Sequence, residues 1–172
     1  MDIDAKGQCD FFGGGGQIVA GRRFDKSLEN HERLVSEVKG ILEGAGYSMA
    51  SDVITCRGRR FTYFPKVQAL SMFGTPRFDD LMINTGRGLF RIECHYQGRS
   101  GGTDSRVAIF LGNSKAKTDP TIHVFDGGGA SDNKINWLKS EARKTKQIRG
   151  VFSVAEFQRF IDSGKPNKRR EG

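Results

Sequence analysis

The sequence predicts an α/β fold, a mixed central sheet flanked by helices. Three observations carry this. The second half of the chain alternates short apolar runs with amphipathic stretches. In the middle, two apolar runs, FDDLMI and LFRIECHYQ, flank the Gly-containing turn NTGRG, which is a hairpin signal. Ahead of them, one long stretch repeats its apolar residues at helical spacing. The 172 residues suit one domain of ordinary size. We divide them into a flexible Gly-rich arm (1–26), a folded domain (27–162) and a basic tail (163–172).

The arm contains GGGGQIVAGRR, which has the glycine spacing of a phosphate-binding P-loop. Arg22 and Arg23 stand where that loop needs Lys and Ser or Thr, so the reading fails. Next, Leu28, Leu34, Val35, Val38, Ile41 and Leu42 predict a helix over 27–44. Ser27 is its expected cap, and Gly44 or Gly46 its end. Glu32 lies off the apolar stripe. Residues 47–77 predict two short strands, around Gly58 and before Pro65, with no register assigned. Phe61, Tyr63 and Phe64 are read there as core and strand edge.

After the hairpin, a short helix is expected in GGTDSRVAIFLGNSK, with Ser100 or Thr103 near its cap. PTIHVFDGGG reads as a buried strand, with His123 as a strand residue. SDNKINWLKSEARKTK predicts a helix capped by Ser131 or Asp132, with Trp137 and Leu138 facing in. IRGVFS is a strand. SVAEFQRFI is a final helix, with Ser153 as cap and Glu156 completing a capping box.

The net charge of +8 points to a polyanionic partner, of which nucleic acid is the common one. No apolar run is long enough to span a membrane, and the N-terminus is unlike a signal peptide. The three cysteines, Cys9, Cys56 and Cys94, have no zinc spacing. They read as free thiols in a reducing cytoplasm.

The hairpin carries the chemistry. If Asn84 pairs with Leu89, then Asp80 lies opposite Glu93, with Cβ atoms roughly 5 Å apart. Alternation then puts Leu81, Ile83, Phe90, Ile92 and Cys94 on a core face. Asp80, Met82, Arg91, Glu93, His95 and Gln97 share the other. Asp79 falls on the core face, so Asp80 is the preferred acid. Two opposed carboxylates suit a hard cation such as Mg²⁺ or Mn²⁺. His95 and Gln97 would order a water or a phosphate. The plain alternative is a surface pairing of the two acids with Arg87 and Arg91.

These residues carry a resemblance. Glu93, Cys94, Tyr96, Gln97, Ser100, Gly101 and Asp104 in IECHYQGRSGGTDSR match a branch of the PD-(D/E)XK nuclease superfamily with a Glu-Cys-Lys-aromatic-Gln motif. Asp80 matches the first metal-binding acid, and Glu32 resembles the additional acid that some members carry on a helix. The resemblance covers roughly residues 27–160. It implies a restriction-endonuclease-like core and a metal held by Asp80, Glu93, the Cys94 backbone carbonyl and Glu32. One departure stands out: His95 replaces the family's Lys, so a fixed positive charge is missing there near pH 7. Arg99 or Arg106 is a candidate replacement.

The expected function is a Mg²⁺- or Mn²⁺-dependent endodeoxyribonuclease of restriction or repair type. Double-stranded DNA is the expected partner, held by Arg57, Arg59, Arg60, Arg99 and Arg106, and a homodimer would match its symmetry. The rival is a nuclease fold that has lost its chemistry and binds nucleic acid or a protein. A third reading is an RNA-directed nuclease or toxin.

Overall fold

The computed structural model describes residues 17–98, 103–128 and 132–164. The elements run α1 (Gln17–Gly44), β1 (Ser48–Met49), α2 (Val53–Gly58), β2 (Thr62–Leu70), β3 (Pro76–Asn84) and β4 (Leu89–Tyr96). They continue with α3 (Thr103–Lys115), β5 (Thr121–Asp126), α4 (Asp132–Ala142), β6 (Ile148–Ser153) and α5 (Val154–Ser163). The six strands form one sheet in sequence order. β2, β3 and β4 are antiparallel neighbours; β1 runs parallel to β2, and β4, β5 and β6 run parallel to one another. The expected α/β architecture with a mixed sheet is therefore present. No helix among the described residues is long and apolar enough to cross a membrane.

The core lies on both faces of the sheet. On one face Leu34, Val38 and Leu42 of α1 and Phe157 and Ile161 of α5 pack on Leu81, Ile83, Ile92, Cys94, Ile122 and Val124. On the other, Val107 and Leu111 of α3 and Leu138 of α4 cover Phe125, Ile148 and Val151. α2 closes that side over Val67 and Met82 through Cys56. The Ser153–Glu156 capping box starts α5 as expected. α1 begins at Gln17, inside the stretch read as an arm, so Ser27 is internal to the helix and not its cap.

Two local expectations are corrected. DVITCRG is helix α2 and not a strand: the Asp52 carboxylate accepts the Thr55 N–H at 2.7 Å and caps it. An apolar run this short does not by itself separate helix from strand. Trp137 is 45% exposed. The inward stripe of α4 is Ile135, Leu138 and Ala142, and Trp137 lies off that helical spacing.

The hairpin register is the expected one, with Leu81 opposite Ile92 and Asn84 opposite Leu89. The alternation breaks just beyond it. The β2–β3 ladder runs from Thr62–Asn84 to Pro65–Leu81 and resumes at Val67–Asp79. Between them Pro65 has no N–H to give, and Lys66 adopts a left-handed backbone with φ +53. Phe64 and Val67, three residues apart, thus pack on the same face. The β2–β3 register is the same on both sides of this point, and β3 breaks its alternation opposite Lys66, which puts Asp79 on the face predicted for Asp80.

Candidate active site

The β3–β4 ladder ends at Leu81–Ile92. At this end the Asp80 carboxylate turns toward α1. Its Oδ2 accepts the backbone N–H of Cys94 at 2.7 Å, and its Oδ1 lies 2.9 Å from His31 Nε2. The hydrogen bond to Asp80 raises the His31 pKa, against the opposing effect of partial burial. Glu32, expected as a metal ligand, is exposed, and its neighbour His31 makes the contact with Asp80.

Asp79 is the acid that joins Glu93. Lys117, just beyond α3, donates to Asp79 Oδ1 at 2.7 Å and also to Glu93 Oε1. Arg91 Nη1 donates to Asp79 Oδ2 at 2.7 Å, and Arg77 Nη2 donates to Glu93 Oε2 at 3.0 Å. The side chains of Asp79, Glu93 and Lys117 are all 3% exposed or less, so this is an interior ion cluster and not a surface pairing. Burial alone would raise the Glu93 pKa. The positive charge of His123, His95, Lys117 and Arg77 outweighs it and lowers Glu93 to about 2. Near pH 7 we assign that charge to Lys117 and Arg77, because both imidazoles are neutral there.

The histidines form a second chain of contacts. His95 Nε2 lies 2.9 Å from His123 Nδ1, and His123 Nε2 lies 2.9 Å from Ser114 Oγ. Burial lowers the pKa of both rings, His123 to about 4 and His95 well below its usual value. His95 also stacks on Phe110, with ring centroids 3.9 Å apart. Glu93 Oε2 is 3.9 Å from His95 Nε2. Among the described residues, Glu93, His95 and His123 are the one group of three or more such side chains with ligand atoms within 4.8 Å of one another.

A cleft of about 460 Å³ lies between α1 and α3, and of this cluster His95 lines it, with Glu93 and His123 buried behind. His31, Cys94, His95, Gln97, Arg106 and Phe110 are among its lining residues. The fold thus gathers five residues singled out in sequence: Cys94, His95, Tyr96, Gln97 and Arg106. Gly127 fixes the end of β4 beside it. Its φ is +96, and a Cβ there would lie 2.6 Å from the Gln97 carbonyl oxygen. The Cys94 thiol faces the core, where burial pushes its pKa well up. Arg57 pairs with Asp119, and Arg59 and Arg60 are exposed; none of the three lines the cleft. Arg99, Ser100 and Gly101 lie outside the described residues.

Sequence reasoning missed Asp79, Lys117, His123 and Arg77. His123 had a signal, an imidazole in the otherwise apolar run TIHVF. Lys117, in NSKAKTDP, had none, because a lysine after a helix is ordinarily solvated.

In this α/β protein with a six-stranded mixed sheet, β3 and β4 bring two acids together, and Lys117 joins them from beyond α3 in a buried charged centre. A family model for the PD-(D/E)XK nuclease superfamily domain matches residues 26–164, and the chain belongs to that superfamily. Membership supports a nuclease-type function in general, and nucleases of this superfamily typically use divalent metals. No curated protein and no solved structure matches the chain.

Proposed function

We propose that this protein hydrolyses phosphodiester bonds in DNA with a divalent cation, Mg²⁺ or Mn²⁺, bound at Glu93. The observation that carries this reading is Lys117. It bridges Asp79 and Glu93 and supplies from another element the fixed positive charge that His95 does not.

The donor set tests the fit of a cation. Each carboxylate oxygen of Asp79, Asp80 and Glu93 already has a protein partner. A carboxylate offers about four lone-pair sites, so one such partner per oxygen leaves capacity. Glu93 stays ionised and the two imidazoles stay neutral, which are the ligand forms. Glu93, His95 and His123 therefore fit a divalent ion. Ser114 orients His123 from behind, as outer partners of metal-bound imidazoles do. When bound, the ion would polarise a phosphoryl oxygen and lower the pKa of a water. Lys117 and Arg77 hold Glu93 in place and in its charged form, and Asp79 anchors Lys117. Asp80 fixes the backbone at Cys94, and so the direction of His95. Gln97 and Arg106 line the space for a phosphate, and the Arg106 guanidinium matches phosphate geometry. The basic surface would hold the backbone of a duplex, and a two-fold dimer would cut both strands.

Two nitrogens and one carboxylate favour Mn²⁺ over Mg²⁺. The test is nicking of supercoiled plasmid and of a matched RNA, in Mn²⁺, Mg²⁺ or chelator. The expected result is DNA cutting that is faster in Mn²⁺, absent with chelator, and reduced at least about a hundredfold in Glu93→Gln, the scale of losing a group that stabilises transition-state charge. Cutting that survives Glu93→Gln would overturn the assignment. Preferential cutting of RNA would replace DNA as the substrate.

A second reading has an observation of its own. Lys117, Arg77 and Arg91 already neutralise Asp79 and Glu93, so the fold needs no metal for charge balance. A binding protein on this fold would hold DNA without cutting it in any metal.

A further inference from the structure

A second cleft, of about 840 Å³, lies along β6 between α4 and α5. β6 is the last strand of the sheet, so one of its edges has no strand neighbour. Arg143, Lys146, Arg149 and Arg159 line the cleft and are exposed. None of the four has an acidic partner among the described residues. Glu156 is the one acid in the lining, and it is engaged by Lys139 at 2.9 Å and by the Ser153 N–H at 2.7 Å. Four cations held around one concavity repel one another, so the arrangement favours an anion along it.

The lining also contains two aromatic rings. Phe152 stacks on Phe160 with centroids 5.2 Å apart. Gly150 makes room for this: a Cβ there would lie 2.3 Å from the Phe152 ring. Both phenylalanines are only partly buried. A cationic wall beside partly exposed rings is the pattern that tracks a phosphate backbone and stacks unpaired bases. A duplex keeps its bases paired and stacked on each other, and would leave the rings unused.

We propose that the β6 cleft binds single-stranded nucleic acid, with phosphates on Arg143, Lys146, Arg149 and Arg159 and bases on the Phe152–Phe160 surface. This rests on the nuclease reading for its purpose, because it would guide an unpaired segment of substrate along the protein. It does not depend on the chemistry at Glu93.

Fluorescence anisotropy tests it, with a labelled oligothymidine strand and a duplex of equal length, both in chelator so that nothing is cut. The single strand should bind at least about tenfold more tightly than the duplex, as expected if bases stack on the rings. Arg143→Glu with Arg149→Glu should weaken single-strand binding by about tenfold or more and make it less salt-dependent. Phe152→Leu should weaken it several-fold with the salt dependence unchanged. The arginines are exposed, so their replacement leaves the fold intact, which a thermal melt checks. Equal single-strand binding by wild type and the double arginine variant would overturn the proposal, as would tighter binding of the duplex that the same variant abolishes. If the wild type cuts plasmid but shows either result, this proposal alone fails. If the strand binds at the cleft but nothing is cut in any metal, the nuclease reading alone fails.

Discussion

Lys117→Ala should melt about 10 °C below the wild type. Lys117 is buried between two buried carboxylates. Removing one member of a buried ionic cluster leaves charge uncompensated and costs about 3–5 kcal/mol. For a domain of this size each kcal/mol lowers the melting point by about 2–4 °C. Arg77 and Arg91 remain beside Glu93 and Asp79, which places the expected value in the middle of that range and not at its top. Lys144 provides the contrast. It pairs with Glu141 on the surface with 66% of its side chain exposed. Lys144→Ala should shift the melting point by no more than about 2 °C, as exposed pairs contribute little. Calorimetry on the two variants decides between them. Equal small shifts would mean that Lys117 does not hold the acids together.

The second large effect is acid sensitivity above the usual carboxylate range. His123 is buried, and its pKa falls from 6.5 to about 4 in the folded protein. Between those values the unfolded chain takes up a proton that the folded chain refuses, so stability drops as the pH falls through this window. One pKa unit corresponds to about 1.4 kcal/mol, so His123 alone accounts for about 3 kcal/mol. His95 is lowered as well and acts in the same direction. Glu93 adds its own loss only at lower pH, from its ordinary value of 4.5 down to about 2. His31 is raised, so its contribution is complete below 6.5 and fades at higher pH, opposite in sign and weakened by its exposure. Denaturant titrations at pH 7 and pH 4.5 should show the fall, and His123→Gln should flatten it. A profile that stays level to pH 4.5 would contradict the neutral, buried imidazole pair.

Much of the fold was legible because it follows from periodicity. The hairpin register, the core face from Leu81 to Cys94 and the capping box of α5 all came from local spacing. The site was legible only in part, and one backbone irregularity explains most of the difference. Pro65 and Lys66 in β2 shift the alternation, and the effect appears on β3, where Asp79 takes the face expected for Asp80. A register argument made on the hairpin alone does not see the third strand. The other gap is tertiary. Lys117 reaches Glu93 from the segment between α3 and β5, 24 positions away in sequence, and no local pattern encodes such a meeting. The missing charge at His95 was legible in sequence, and the buried cation beside Glu93 was not.

Calorimetric titration of Mn²⁺ at neutral pH into the wild type, Glu93→Gln and His123→Gln, without nucleic acid, probes the metal centre apart from cleavage. Saturable binding at one site per chain is expected in the wild type, lost in Glu93→Gln and weakened in His123→Gln, with both variants folded. Binding unchanged in Glu93→Gln, or no binding in a wild type that is folded, would contradict a metal centre built on Glu93 and the two imidazoles.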